Sequence, residues 1–289
     1  MATVNEWIAG ARPRTLPAAA APVIVGSGAA AQVDSFSFVP AFLCLLLALA
    51  LQVGVNYAND YSDGVKGTDI DRVGPIRLTA SGIASPWQVK RAAFVSLGIG
   101  ALLGLILVIM TGHWWLIAIG VLCLLAAWYY TGGKKPYGYS GLGEVGVFIF
   151  FGLVATLGTT YLQADRITWP SLFGAIAIGL IACAILMANN VRDIPTDIVS
   201  GKKTLAVRVG DFKARRLYVA MIFVPFVFAF ACAFFNPWTI IVVVLLLPAG
   251  LLAIPMLAGA RGKLLVPVLA GTGMFELGFG VLLGLGLAL

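Results

Sequence analysis

Acidic residues and histidine are scarce in this chain: 12 Asp and Glu and a single His stand among 289 residues, of which 11% are charged. One histidine cannot build a His-based metal centre, so any metal here must be held by oxygen. Cysteine is equally thin. Cys44, Cys123, Cys183 and Cys232 fall inside apolar stretches with no CxxC pair, which argues against thiolate chemistry and for small apolar filler. No long polar stretch is available for a separate soluble domain, because 61% of the residues are hydrophobic. Short alternating segments are missing too, which argues against a closed β-barrel. The N-terminus, MATVNEWIAGARPRTLP, has no short apolar core followed by a cleavage site, so no removable signal peptide is expected.

What the chain does have is long apolar runs. Nine segments, 16–33, 37–58, 92–111, 114–130, 143–163, 171–190, 217–235, 238–258 and 266–288, approach the roughly 20 residues that cross a bilayer as a helix. With the N-terminus in the cytoplasm, every one of the 19 Lys and Arg except Arg166 falls on the cytoplasmic side. That asymmetry predicts an all-α polytopic membrane protein, N-in and C-out, with residues 1–289 forming one domain. It also accounts for most of the net charge of +7, so no nucleic-acid partner is inferred; the loop charges suit anionic lipid headgroups. His113, in a GHWW turn on the outer side, reads as part of an interfacial anchor. Gly100 and Gly104 form a GxxxG that permits close helix packing, within the chain or between protomers.

The few acids are concentrated. NDYSDGVKGTDID (59–71) holds Asp60, Asp63, Asp69 and Asp71 at the end of the second apolar segment. Shifting by 130 residues brings Asn59 and Asp63 onto Asn189 and Asp193, at the end of the sixth. The two halves therefore read as a pseudo-repeat. Both copies share N-x-x-x-D, and the second continues to Asp197, where the first has Gly67. Residues i and i+4 share a helix face, so each copy presents a stripe of side-chain oxygens where a helix leaves the membrane. Pro195 predicts a kink or unwinding before Asp197.

Two carboxylates ~5 Å apart repel by ~0.8 kcal/mol in water and by ~3 kcal/mol at an effective dielectric near 20. Converging acids therefore need protons or cations. Short oxygen ligands suit Mg²⁺ or Ca²⁺, and Mg²⁺ shares its shell readily with substrate phosphate. Cations flank both motifs: Lys66, Arg72 and Arg77 follow the first, and Lys202, Lys203 and Arg208 the second. Acids, a metal and interleaved Lys and Arg together fit a diphosphate. A third segment on the same side, YYTGGKKPYGYSGLGE (129–144), adds Tyr130 and Lys134 around a Gly-Gly pair that permits a tight loop.

Taken together, ARPRTLP (11–17), NYANDYSDGVKGTDIDRVGPIRLTASG (56–82), YTGGKKPYGYSGLGE (130–144) and ANNVRDIPTDIVSGKKTLAVRVG (188–210) resemble the UbiA superfamily of intramembrane aromatic prenyltransferases. The resemblance runs over nearly the whole chain. It implies nine transmembrane helices around a central cavity, with Mg²⁺ held by Asn59, Asp60, Asp63, Asn189, Asp193 and Asp197. Asp60, Asp63, Asp193 and Asp197 become the catalytic acids, and Lys66, Arg72, Arg77, Lys134 and Lys202 the diphosphate ligands. Tyr130 would meet the aromatic acceptor or the carbocation. The implied substrates are a polyprenyl diphosphate and, from the long DRVGPIRLTASG tail, 1,4-dihydroxy-2-naphthoate; another phenolic acceptor stays open. Gly67 departs from the family's usual third acid, leaving Asp69 or Asp71 to compensate, and Asp60 is alternatively an acceptor ligand or base. A secondary transporter is the rival class, but its site belongs near the midplane, whereas these acids lie at span ends on one side.

Overall fold

The computed structural model describes residues 2–67 and 77–289, and all regular structure among them is helical. A surface helix, α1 (Val4–Ala11), starts from a capping box: Thr3 Oγ1 accepts the Glu6 N–H at 3.3 Å, and the Glu6 carboxylate accepts the Thr3 N–H at 2.6 Å. Antiparallel apolar helices follow: α2 (Pro17–Ala31), α3 (Phe38–Lys66), α4 (Pro86–Thr111), α5 (Leu116–Tyr129), α6 (Gly143–Ala164) and α7 (Trp169–Val199). After the short α8 (Leu205–Val209) come α9 (Asp211–Cys232), α10 (Pro237–Leu257) and α11 (Gly262–Ala288). Seven of these are long and apolar enough to cross a membrane; α2 and α5, at 15 and 14 residues, are apolar but shorter.

Lipid is as apolar as leucine, so close packing of small residues, rather than the hydrophobic effect, holds such helices together. The contacts follow that rule. A Cβ on Gly28 would meet Gly284 O at 2.2 Å, one on Gly280 would meet Ala21 Cβ at 2.8 Å, and one on Gly26 would meet Thr156 O at 2.5 Å. These approaches lock α2 between α6 and α11. Gly100 and Gly104 receive Leu51 and Leu47 of α3, so the GxxxG serves packing inside the chain. Large apolar side chains on α4, α5 and α10 face outward, as lipid contact requires.

Two helices differ from expectation in a way that shapes the site. α3 continues two turns beyond residue 58, carrying the whole first motif on helix, and ends where Gly67 takes φ +70°. In this fold the Gly67 position is a left-handed C-cap, which glycine fills without strain. α7 runs unbroken through Pro195 to Val199, so the expected kink is not an unwinding and Asp197 stays on the helical face. Between them, α6 opens into a π-helical stretch at Phe148–Val154, a geometry frequent at functional sites.

Candidate active site

Residues 52, 56, 59 and 63 of α3 recur at helical spacing and form one buried polar stripe, Gln52, Asn56, Asn59 and Asp63. On α7, Asn190, Arg192, Asp193 and Asp197 are likewise buried. Both helix ends line one polar cavity of about 210 Å³, together with Tyr130, Thr131 and Tyr139 from the 130–142 connector, and Arg77 and Lys202.

Asp63 collects the cations. Arg77 Nη2 lies 3.8 Å from Asp63 Oδ2 and Lys202 Nζ 4.0 Å from Oδ1. The Tyr139 hydroxyl donates to Oδ1. The ammonium groups of Lys66 and Lys202 sit 5.0 and 4.6 Å from the centre of the Tyr139 ring, within cation–π range. Lys66 Nζ donates to Thr131 O at 2.5 Å, and the Thr131 hydroxyl donates to Asn59 Oδ1 at 2.8 Å. Lys203 N–H donates to Tyr139 O at 2.8 Å, tying the loop after α7 to the connector and so bringing Lys202 to Asp63.

The second motif is organised differently. Arg192 forks Asp193, with Nε to Oδ1 and Nη2 to Oδ2 both at 2.7 Å, and Nη2 also donates to Asn189 Oδ1 at 2.8 Å. Asp197 Oδ2 accepts the Thr204 hydroxyl at 3.4 Å. Asn190 Nδ2 donates to Glu144 Oε1 at 2.9 Å.

Several sequence expectations are redrawn. Asp60 is fully buried and does not line the cavity. Its carboxylate accepts the backbone N–H groups of Leu78 and Thr79 at 2.8 and 2.9 Å. A Cβ on Gly64 would meet Thr79 Cβ at 2.5 Å, so the same helix face seats this turn closely and holds Arg77 beside Asp63. Lys134 is exposed and lies outside the cavity lining; Tyr139, from the same segment, reaches it instead. Lys66 is not among the lining residues and adjoins the cavity through Thr131 and Tyr139. Asp69, Asp71 and Arg72 lie outside the described residues. Sequence reasoning missed Tyr139, Gln52 and the lining role of Arg12, although a lone glutamine inside an apolar span was a visible signal. Burial pushes the Tyr137 phenol up to about 12, so it stays a neutral donor, to Ala126 O at 3.1 Å, and stacks edge-on to Tyr130.

A second cavity of about 460 Å³ runs from this end of the bundle to Leu116, Ile117 and Leu162 at the other, with an almost wholly apolar lining from α2 to α6. Gln52, Asn59, Tyr130, Val147 and Phe151 line both cavities and form the seam between them. The two cavities thus share a wall: charged oxygens and cations on one side of it, an apolar lining on the other.

Among the described residues no three His, Cys, Asp or Glu side chains cluster as a self-sufficient metal site. The donors instead come in separate sets, Asn59 and Asp63 from α3 and Asn189, Asp193 and Asp197 from α7. All are short oxygen donors, and they fit a hard divalent cation whose shell is completed by phosphate oxygens.

An all-helical bundle with acids and cations at one end of a hydrocarbon groove defines an enzyme of prenyl transfer. The chain belongs to the UbiA prenyltransferase family, whose model matches residues 19–286. It is 51% identical to a 1,4-dihydroxy-2-naphthoate octaprenyltransferase of Mycobacterium tuberculosis, over 95% of this chain and 94% of that one. It is 40% identical to the enzyme of the same name from Escherichia coli, over 75% and 73% of the two chains. Among solved structures, a UbiA homolog from Archaeoglobus fulgidus bound to DMAPP and Mg²⁺ superimposes with a TM-score of 0.69 at 13% identity, covering 98% of this chain and 99% of that one. The transporter alternative falls with this membership.

Proposed function

We propose that this protein transfers a polyprenyl group from polyprenyl diphosphate to 1,4-dihydroxy-2-naphthoate, with loss of carbon dioxide, to give demethylmenaquinol. The observation that carries the reaction class is the seam: a polar cavity for a diphosphate opens directly into a groove for its hydrocarbon tail. The acceptor follows from the relatives' names.

Asn59 and Asp63 on one side, with Asn189, Asp193 and Asp197 on the other, would hold Mg²⁺, which when bound neutralises the leaving diphosphate. Arg77 and Lys202 take the remaining phosphate charge, with Lys66 behind them. These groups are fixed before reaction, so they stabilise charge where it develops. The allylic carbon lies at the seam, where the Tyr130 and Phe151 rings favour a cation and apolar walls keep water away. The dihydroxynaphthoate ring attacks that carbon, and carbon dioxide leaves. Asp60 serves by holding the 77–79 turn, and Arg77 with it.

The bundle reads as nine spans, N-in and C-out, with the site on the cytoplasmic side of the cell membrane. The 15-residue α2 is about 22 Å long, but its buried flanks spare it from matching the full hydrocarbon thickness. The pairs α3–α4 and α7–α9 read as equivalent hairpins of a repeat, each turning after the acidic end of its first helix. The test is a purified-protein assay with Mg²⁺, a short polyprenyl diphosphate and a panel of aromatic acids. Prenylated, decarboxylated dihydroxynaphthoate as the main product supports the reading; preference for another acceptor overturns it.

A further inference from the structure

Four cations, Lys213, Arg216, Arg261 and Lys263, flank the starts of α9 and α11 and line neither cavity. All four are exposed, and none forms an ion pair with an acid among the described residues. Asp211 is the one acid in the segments 205–217 and 254–266 that meet here.

A fifth cation builds this corner from inside. Arg215 is buried on α9. It donates from Nη1 to Met256 O, from Nη2 to Ala260 O and from Nε to Asp211 Oδ2, each at 2.9 Å. The carbonyl end of α10 is thereby pinned to the first turn of α9. Arg216 and Arg261 each stand one residue beyond a bonded position. The same fork offsets the negative end of α10 and the charge of Asp211. What remains uncompensated is positive: four side chains and two helix N-termini. α9 follows Gly210 and α11 follows Arg261, and neither start has a side-chain cap. Their first N–H groups are left for another acceptor, at the helix ends that favour anions. Apolar side chains adjoin the charge. Phe212 is 65% exposed and Leu264 70%, and the Arg216 guanidinium lies 4.1 Å from the centre of the Phe212 ring.

We propose that the corner between α9, α10 and α11 binds the headgroup of an anionic phospholipid. The phosphate sits among Lys213, Arg216, Arg261 and Lys263, and the acyl chains lie along Phe212, Leu264 and the outward apolar faces of α9 and α10. Exposed cations beside exposed hydrocarbon at the ends of spanning helices suit a ligand that carries both an anion and a tail. The two guanidinium groups add planar forks that match phosphate oxygens, beyond what point charges supply. The site is separate from the polar cavity and draws nothing from the prenyl-transfer reading.

The test is native mass spectrometry of the purified, detergent-solubilised protein, titrated with phosphatidylglycerol and, separately, phosphatidylcholine, to count the lipids retained. Wild type should hold phosphatidylglycerol at least about 10-fold more tightly than phosphatidylcholine. Arg216→Gln combined with Arg261→Gln should weaken phosphatidylglycerol about 10-fold or more, the scale of two lost cation contacts, and leave phosphatidylcholine unchanged. Arg91→Gln combined with Lys135→Gln removes the same charge from exposed positions elsewhere at this end of the bundle, and should change phosphatidylglycerol binding less than about 2-fold because distant surface charges are screened. If the first double variant does not fold, Arg261→Gln and Lys263→Gln, both outside α9, should each weaken phosphatidylglycerol about 5-fold. Equal losses in the two double variants would reduce the corner to general attraction between basic loops and acidic lipid, and overturn the proposal. Equal retention of the two lipids by wild type would overturn it as well. Displacement of phosphatidylglycerol by inorganic phosphate at the lipid's own concentration would make the corner a free-anion site and likewise overturn it.

Discussion

The ends of α3 and α7 carry the same N-x-x-x-D spacing and different surroundings. On α3, Asp63 meets cations brought from elsewhere in the chain: Arg77 from the following turn, Lys202 from the far loop, with Tyr139 between. On α7, Asp193 is forked by its own neighbour, Arg192, which also binds Asn189. Asp63 has charge brought to it from distant residues, and Asp193 has a fork from its immediate neighbour. Spacing alone therefore marks where the oxygens point, whereas the partners of each oxygen depend on which loop folds over that helix end. The third positions diverge for the same reason. Gly67 ends α3, while α7 runs on to present Asp197 and stops at Val199, three residues past the equivalent point, with Gly201 at φ +74°.

The comparison breaks most sharply at the shared acids. Asp63→Asn and Asp193→Asn should each lower turnover at least about 100-fold, the scale of losing a fixed electrostatic group at developing charge, while size-exclusion profiles stay unchanged. Near-normal activity in either would make that motif a surface feature. Arg192→Gln comes next. Freed of its fork, Asp193 should demand about 10-fold more Mg²⁺ for half-maximal rate, the usual scale for losing a group that orients a metal ligand; an unchanged Mg²⁺ titration would show the bracing to be idle. Asp60→Asn should act through Arg77 instead. It loses one of two backbone acceptors, costs about 2 kcal/mol of stability, raises the donor's KM and leaves Mg²⁺ demand as in wild type. A raised Mg²⁺ demand would restore Asp60 as a ligand. Gly67→Ala should cost about 1 kcal/mol from its left-handed backbone and change kcat little, measured by thermal unfolding beside initial rates. The smallest effect belongs to Lys134→Ala, whose rates should lie within about 2-fold of wild type if its exposed position keeps it off the diphosphate.

Much of this was legible in the chain, and the failures have physical causes. Long apolar runs mark helices reliably because every backbone group in lipid must bond within its own segment. Helices lie at the expected apolar segments, seven of them long and apolar enough to cross a membrane and two, Pro17–Ala31 and Leu116–Tyr129, shorter. The stripes 59–63 and 189–193–197 were readable because i and i+4 share a face. Asp60 is harder to place from sequence because one residue along a helix turns about 100°, and here its carboxylate accepts the backbone N–H groups of Leu78 and Thr79. Spacing cannot tell which side chain of a Gly-rich connector turns inward; Tyr139 lines the cavity and Lys134 is exposed. Gly67 looked like a missing acid until the helix end was seen. Arg12 lay in a motif that sequence could flag but not place.

The most direct test of the central claim, that the two helix ends form one metal-dependent diphosphate site over a hydrocarbon groove, is a product assay on the purified protein. Polyprenyl diphosphate and 1,4-dihydroxy-2-naphthoate are supplied with Mg²⁺, with chelator, and with chelator followed by excess Mg²⁺, and released diphosphate is counted against prenylated, decarboxylated product. The account predicts equal amounts of both with Mg²⁺, neither with chelator, and recovery on re-addition. Product formation that persists in chelator, or diphosphate release that is never matched by prenylated product, would contradict it.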